Sequence, residues 1–170
     1  LETGKIAPTT TYMDEGFVSK SGYTIRNAGN RIFGKRTVQE VLALSINTGA
    51  VFVQDVMGKD NFLRTLEDFG LGQATEIDLP GEVVGDITNL DSGRAINYAT
   101  ASFGQGIAAT PLQVITALSA IANQGVFMRP YVATSILYPE GNEKRILPKE
   151  RKRVINLKTA SQMTAMMVKA

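Results

Sequence analysis

The sequence contains no cysteine and no histidine among its 170 residues. The lack of cysteine excludes disulfides, thiol catalysis and cysteine-bound metals. The lack of histidine excludes the Ser-His-Asp triad and the Cys-His dyad, and it removes the commonest zinc ligand. Acid–base chemistry would therefore depend on lysine, carboxylates, tyrosine or serine, so chemistry based on serine and lysine stays possible. We expect neither a metal nor a cofactor.

The sequence also lacks a large charge excess and a long apolar run. Eighteen Lys and Arg residues against sixteen Asp and Glu residues give a net charge of +2, which is too small to indicate a nucleic-acid partner or an anionic membrane surface. The basic run at residues 149–153 contains Glu150 and precedes an apolar segment, which favours a solvated turn over a binding patch. No stretch approaches the roughly 20 apolar residues of a membrane span. The hydrophobic content of 44% is typical of a globular protein with a core.

The N-terminal segment, residues 6–34, is rich in Gly, Ser, Thr and Asn and shows no helical period, which indicates irregular structure with short extended pieces. A segment of this length is either packed around a functional site or idle surface, and its composition does not decide between the two. Residues 1–5 are typical of a last helical turn ended by Gly4, and residues 166–170 of an unfinished amphipathic helix. We therefore expect further sequence on both sides.

Helices are predicted from Thr37 onward. Thr37 and Glu40 form a capping box, in which each side chain bonds the other residue's backbone N–H. Apolar residues then recur at helical spacing with an interruption at residues 45–47, which predicts two helices that meet there, the second ended by Gly58. Asp60 is the predicted cap of a third helix. Its inward residues are Phe62, Leu63, Leu66 and Phe69.

The strongest helix start lies in the second half, after a glycine-rich connector at residues 71–97. Thr110 can cap, Pro111 suits the first helical position and Gln113 closes a capping box. The helix that follows is apolar over most of its circumference, which predicts a central, buried helix ended by Gly125.

The C-terminal part predicts a β-hairpin followed by a helix. Residues 126–138 are rich in β-branched and aromatic side chains and favour a strand, which Pro130 confines to an edge. A turn at residues 139–142 leads to a second strand through residues 145–147. Asn156 is the predicted cap of a last helix with Ala160, Met163, Met167 and Val168 inward. Helices, then a hairpin, then a helix predict an α+β fold.

Ser45 and Asn47 are the candidate functional residues, because the predicted helix break places a hydroxyl and an amide side by side. Taken alone, Ser-x-Asn is a weak signal. The alternative is an ordinary helix end, in which both side chains cap backbone groups.

Four blocks in a fixed order give the motif a context. They are residues 1–6, residues 41–50 around the Ser-Ile-Asn triplet, residues 69–72 with 77–82, and residues 102–106 with 110–113 and 122–125. Together they resemble the class B penicillin-binding proteins, the bacterial cell-wall D,D-transpeptidases. The resemblance covers nearly all of the chain and implies the α+β penicillin-binding transpeptidase fold of the serine β-lactamases, with residues 1–170 as a partial domain.

The resemblance also implies roles for the two residues. Ser45 would relay a proton between a catalytic lysine and the leaving D-alanine nitrogen, and Asn47 would bind both that lysine and the peptide carbonyl of the substrate. The implied partners are peptidoglycan stem peptides ending in D-Ala-D-Ala and β-lactam antibiotics. The whole protein would be anchored in the bacterial membrane by a segment outside this chain, face the extracytoplasmic side and associate with wall-synthesis proteins.

Two further motifs of this family, Ser-x-x-Lys and Lys-Thr-Gly, are absent from the sequence. The nearest sequences are Lys158 to Ser161 in the reverse order and Lys-Thr-Ala at residues 158–160. We expect the first motif upstream of Leu1 and the third downstream of Ala170. Without the nucleophile, residues 1–170 alone should form no acyl-enzyme.

Two alternatives stay open: a β-lactam-sensing receptor domain of the same fold and a helical interaction domain without chemistry. The Gly-Gln-Gly and Thr-Pro-Leu-Gln blocks favour the transpeptidases.

Overall fold

The computed structural model describes residues 1–170 and contains six α-helices, eight short β-strands and two 3₁₀ turns. The helices are α1 (Val38–Ala43), α2 (Asn47–Met57), α3 (Lys59–Asp68), α4 (Ala95–Ala101), α5 (Pro111–Ala122) and α6 (Leu157–Val168). The strands are β1 (Thr11–Asp14), β2 (Phe17–Lys20), β3 (Tyr23–Arg26), β4 (Gly34–Thr37), β5 (Val126–Met128), β6 (Ser135–Leu137), β7 (Glu143–Arg145) and β8 (Glu150–Arg153). The 3₁₀ turns are Ala28–Asn30 and Thr88–Ser92.

The strands form four separate antiparallel pairs rather than one large sheet. β1 pairs with β4, β2 with β3, β5 with β8 and β6 with β7. The register of the first pair joins Thr11 to Thr37 and Asp14 to Gly34. It therefore brings the N-terminal segment directly onto the start of α1. None of the helices combines the length and the apolar character needed to cross a lipid bilayer.

The predicted helix junction at residues 45–47 is confirmed. The Thr37 hydroxyl accepts from the Glu40 N–H at 3.2 Å, and the Glu40 carboxylate accepts from the Thr37 N–H at 2.8 Å, so the capping box is complete.

The predicted cap at Asp60 is wrong: α3 follows Gly58 directly. Asp60 lies inside the first turn instead, where a carboxylate interacts favourably with the positive end of the helix dipole.

The connector after α3 is more ordered than its glycine content predicts. Two of its carboxylates accept pairs of backbone N–H groups: Glu82 from Thr75 and Glu76 at 2.6 and 3.0 Å, and Asp78 from Val132 and Ala133 at 2.8 and 2.9 Å. Helix α4, which the sequence did not predict, follows it. Its buried Tyr98 and Ala101 cluster with Leu90, and three of the predicted inward residues of α3 pack there: Phe62, Leu63 and Leu66.

Helix α5 begins at the predicted capping box, but it is not buried on all sides. Its buried residues are Gln113, Thr116 and Ala120. Val114, Ile115 and Leu118 are 45%, 57% and 41% exposed. The elements that pack on α5 are chiefly β5 and α6, and they cover one side of the helix. The prediction of a central helix was therefore wrong for this chain.

The predicted strand at residues 126–138 is broken into β5 and β6. Pro130, in the gap between the two strands, has no N–H to give to a ladder. β5 pairs with β8, so residues 150–153 form a strand and the predicted solvated turn was wrong. The hairpin around residues 139–142 is confirmed, but its second strand is Glu143–Arg145 and not residues 145–147.

The last helix, α6, begins at the predicted cap. The Asn156 side chain accepts from the Thr159 N–H at 2.8 Å, which confirms the cap, and Ala160 is buried as predicted. The buried methionine is Met166 rather than Met167, and Val168 is exposed. The predicted inward face is therefore confirmed at Ala160 and wrong at Met167 and Val168.

Candidate active site

Ser45 follows the last turn of α1 in a left-handed conformation, with φ of 52°. Its N–H donates to the Leu42 carbonyl at 3.3 Å, and the Ile46 N–H donates to the Val41 carbonyl at 3.1 Å. These two bonds form a Schellman motif, in which the left-handed position is usually glycine. A side chain there costs roughly 1 kcal/mol because Cβ crowds the following carbonyl. The sequence thus keeps a serine where the backbone favours glycine.

The Ser45 side chain is exposed and its hydroxyl makes no hydrogen bond within residues 1–170. The half-buried Asn47 donates from its amide to the Arg26 carbonyl at 3.0 Å. The N-cap of α2 is Ile46, which makes no side-chain cap. Because neither Ser45 nor Asn47 caps a helix end, the interpretation of the triplet as an ordinary capped break is wrong.

Ile46 anchors the triplet. It is 1% exposed, in contrast to its neighbours on both sides, and Val41 is also buried. The alternation of an exposed, a buried and a half-buried residue fixes which way the triplet faces. Ser45 and Asn47 are thereby held toward solvent.

A buried carboxylate, Asp14, lies under this junction at 2% exposure. Its hydrogen-bond donors are the Gly16 N–H at 2.9 Å, the Phe33 N–H at 2.7 Å, the Thr48 hydroxyl at 2.7 Å and the Asn27 amide at 2.9 and 3.1 Å. Burial alone would raise the pKa of Asp14, but these hydrogen bonds outweigh it and hold the pKa below its ordinary value of 3.8. Asp14 is therefore ionised at neutral pH.

Asn27 connects Asp14 to helix α2. Its amide oxygen accepts from the Thr48 N–H at 3.1 Å, while its amide nitrogen faces Asp14 and the Arg31 carbonyl. Thr48 is the second residue of α2, where helix N–H groups have no partner inside the helix. Asn27, which directly follows β3, thus caps the N-terminus of α2, where the helix's own N-cap residue Ile46 makes no side-chain hydrogen bond.

Sequence reasoning missed Asp14, Asn27 and Thr48. Asp14 lies 13 residues from Asn27 and 34 from Thr48, and no local motif marks the set. Residues 6–34 are not idle surface, because Asp14 and Asn27 of this segment lie under the Ser45–Asn47 junction and bond Thr48.

A close crossing of α1 and α2 also holds the junction. A Cβ on Gly49 would lie 2.5 Å from Val41 Cγ2 and 2.8 Å from the Tyr12 hydroxyl, so no larger residue fits without movement. Tyr12 also stacks on Phe52 with ring centroids 5.3 Å apart. Burial raises the pKa of Tyr12, so its hydroxyl stays neutral.

The far end of α2 is fixed by two lysines. Lys5 Nζ donates to the Val56 carbonyl at 3.0 Å, where a cation interacts favourably with the negative end of the helix dipole. Lys20 pairs with Asp55 at 2.5 Å. Contacts from residues 5–34 therefore hold both ends of α2.

The site offers no set of three or more acidic side chains arranged to hold a metal ion. Two surface depressions, of about 210 and 340 Å³, lie beside β8 and between α5 and α6, and neither is lined by Ser45 or Asn47.

All of residues 1–170 match the family model of the penicillin binding protein transpeptidase domain. The chain belongs to this family. It is 34% identical over 154 residues to stage V sporulation protein D of Bacillus subtilis, covering 89% of this chain and 24% of that protein. It is 30% identical over 166 residues to penicillin-binding protein PbpB of Mycolicibacterium smegmatis, covering 98% and 26%. The chain thus spans about a quarter of the length of these curated relatives.

Solved structures of transpeptidase family members superpose closely on the chain. The crystal structure of penicillin-binding protein 3 from Mycobacterium tuberculosis, complexed with aztreonam, gives a TM-score of 0.90 at 29% identity over 97% of this chain and 37% of that one. A peptidoglycan synthetase from Bifidobacterium adolescentis gives 0.89 at 31% identity, over 98% and 31%. The predicted α+β transpeptidase fold and the resemblance to class B penicillin-binding proteins are confirmed.

Proposed function

We propose that residues 1–170 are a partial domain of a peptidoglycan D,D-transpeptidase. The whole protein cross-links stem peptides ending in D-Ala-D-Ala through a serine acyl-enzyme, and β-lactams acylate the same serine. Membership of the penicillin-binding transpeptidase family supports this proposal. The aztreonam and ampicillin complexes of the M. tuberculosis protein support it for the antibiotic. The nucleophile and the Lys-Thr-Gly motif lie outside residues 1–170.

The observation that carries the proposal is the free hydrogen-bonding capacity of the triplet. A hydroxyl both donates and accepts, so the unbonded Ser45 side chain can pass a proton from the catalytic lysine to the leaving D-alanine nitrogen. Asn47 uses one amide hydrogen on the Arg26 carbonyl. Its second N–H is then available to the substrate's peptide carbonyl, and its amide oxygen to the lysine ammonium.

The setting of the whole protein belongs to the same proposal. We place it at the extracytoplasmic face of the bacterial membrane, held there by a segment outside this chain and working with other wall-synthesis proteins. That placement follows from the substrate, since peptidoglycan is cross-linked outside the membrane.

The test measures covalent labelling of the full-length protein by fluorescent penicillin. Ser45→Ala should slow acylation at least about 100-fold, the low end of what general acid–base catalysis contributes. Ser21→Ala is the matched control, because Ser21 is also exposed and left-handed, with φ of 50°, in the β2–β3 turn. It should label at the wild-type rate. Ser45→Ala labelling at that rate would exclude the proton relay.

Two further measurements define the limits of the proposal. Residues 1–170 alone should take no covalent label, and a label there would place the nucleophile inside this chain. The full-length protein should release D-alanine from a stem peptide. Labelling by penicillin without that release would identify a β-lactam sensor of the same fold instead.

A further inference from the structure

The first turn of α2 is held from outside by two consecutive residues. Arg26 accepts from the Asn47 amide at 3.0 Å, and Asn27 accepts from the Thr48 N–H at 3.1 Å. Both acceptors lie at the end of β3. The direction of the Asn47 side chain therefore depends on where the end of β3 sits.

The orientation of the Asn27 amide is itself determined by Asp14. An amide has a donor side and an acceptor side of nearly the same shape, whereas an ionised carboxylate only accepts. With both Asp14 oxygens 2.9–3.1 Å from Asn27 Nδ2, the NH₂ group must face Asp14 and the amide oxygen must face Thr48. A neutral partner at position 14 would not impose this choice.

Asp14 also binds Thr48 directly through a hydrogen bond, and it forms no ion pair. The Thr48 hydroxyl donates to it at 2.7 Å, and no lysine or arginine forms an ion pair with it. Burying a charge without a counter-ion is costly, and an apolar residue would fill a core position at lower cost. What the carboxylate supplies is direction, because it accepts from both Asn27 and Thr48, which bond each other at the first turn of α2.

We propose that Asp14 is a positioning residue for the Ser45–Asn47 motif, acting through Asn27 and Thr48 on the first turn of α2 without touching substrate. This inference rests on the proposed function, which gives Asn47 its substrate contact. Loss of the carboxylate lets the Asn27 amide turn and the first turn of α2 shift. A displacement of about 1 Å in a reacting constellation can reduce a rate by about 100-fold.

The test uses Asp14→Asn in the full-length protein and separates two quantities in penicillin labelling. These are the acylation rate constant and the final fraction of labelled molecules. A positioning role predicts a rate constant reduced by about 10- to 100-fold with the final fraction unchanged. A purely structural role predicts fewer labelled molecules that react at the wild-type rate, and that result would overturn the inference.

Two further variants complete the experiment. Gln113→Ala removes an equally buried polar side chain in α5, far from the triplet in sequence, and should leave the rate constant unchanged. Thr48→Val removes one donor to Asp14, together with the contacts of the same hydroxyl with Asn27 Oδ1 at 3.2 Å and the Tyr12 hydroxyl at 3.5 Å. It decides the question if Asp14→Asn fails to fold. It should also lower the rate constant, and a wild-type value would reject the inference.

Ser45→Ala is measured in the same series to separate the two proposals. If Ser45→Ala is slow and Asp14→Asn is fast, only the positioning role fails. If the wild-type protein takes no label, the proposed function fails and the positioning role fails with it, whereas a normal rate for Ser45→Ala excludes only the proton relay by Ser45.

Discussion

The Asn47 amide donates to the Arg26 carbonyl across a separation of 21 residues. This bond joins the end of the β2–β3 hairpin to the first residue of α2. A side chain that reaches a fixed carbonyl has one orientation, so its remaining N–H and oxygen point in defined directions. The N-terminal strands are therefore part of the candidate site and not only its surroundings.

The left-handed backbone at Ser45 predicts opposite changes in stability and activity. Ser45→Gly removes the Cβ strain of roughly 1 kcal/mol, although the added freedom of the unfolded chain offsets part of the gain. We expect a small rise in the free energy of unfolding for Ser45→Gly and almost none for Ser45→Ala. Urea unfolding of residues 1–170 measures this. In the full-length protein, both variants should lose the fast acylation.

Ser21→Gly is the control for this comparison. It should relieve similar strain in the β2–β3 turn, where φ is 50°, and leave acylation unchanged. A Ser45→Gly variant less stable than wild type would contradict a left-handed backbone at Ser45.

The carboxylate of Asp14 predicts a specific dependence of stability on pH. Its pKa is lowered on folding, so its ionisation contributes stability above the unfolded pKa, about 3.9, and that contribution is lost as pH falls through the lower folded value. Asp14→Asn should be less stable than wild type at pH 7, and the difference should shrink below about pH 4.

Exposed carboxylates with lowered pKa values, such as Asp78 and Asp86, titrate in both proteins and cancel in that difference. Thermal unfolding of residues 1–170 between pH 3 and pH 7 is the measurement. A difference that stays constant over this range would assign the stability of Asp14 to packing and not to its charge.

The features that the sequence could predict depend on neighbouring residues. Capping at Thr37, Thr110 and Asn156 involves groups three residues apart, and each cap was found where predicted. The position of Ser45 and Asn47 at a helix junction follows from the same local signals. Such hydrogen bonds join residues that are already close in sequence, so a few neighbouring residues are enough to predict them.

The features that the sequence could not predict depend on distant partners. Residues 150–153 form a strand only because β5 offers an unpaired edge, and local charge gives no sign of it. Likewise, the hydrogen bonds of Asp14 join segments 2 to 34 residues apart, so no single window contains them. Asn27 caps α2 from outside the helix, so the sequence of α2 and its N-cap, Ile46, gives no sign of the cap.

The close crossing at Gly49 predicts that alanine destabilises this position. Alanine normally favours a helix by about 1 kcal/mol over glycine. Here its Cβ would lie 2.5 Å from Val41 Cγ2, and such overpacking costs about 1–3 kcal/mol. The sign of the change measured by urea unfolding therefore reports the crossing. Adding Val41→Ala should recover part of the loss, with a coupling energy of about 1 kcal/mol in a double-mutant cycle. Additive effects would contradict the contact.

Replacing the buried Gln113 with glutamate should cause a loss of stability that depends on pH. Its amide nitrogen donates to the Gly70 and Gln73 carbonyls at 3.3 and 2.7 Å, and its oxygen accepts from the Thr110 N–H at 2.9 Å. Gln113→Glu keeps the acceptor but turns a carboxylate oxygen toward two carbonyls, which should lower the free energy of unfolding by about 2 kcal/mol or more at pH 7.

The sign of the pH dependence separates this mechanism from a loss of volume. A carboxyl buried against carbonyls has a raised pKa, so the variant should recover stability as pH falls and the added proton restores one donor. Urea unfolding at pH 7 and pH 5 measures this, with the exposed Gln105→Glu as the control that should change little at either pH. A loss of the same size at both pH values would mean that the two carbonyl contacts of Gln113 do not stabilise the turn that follows α3.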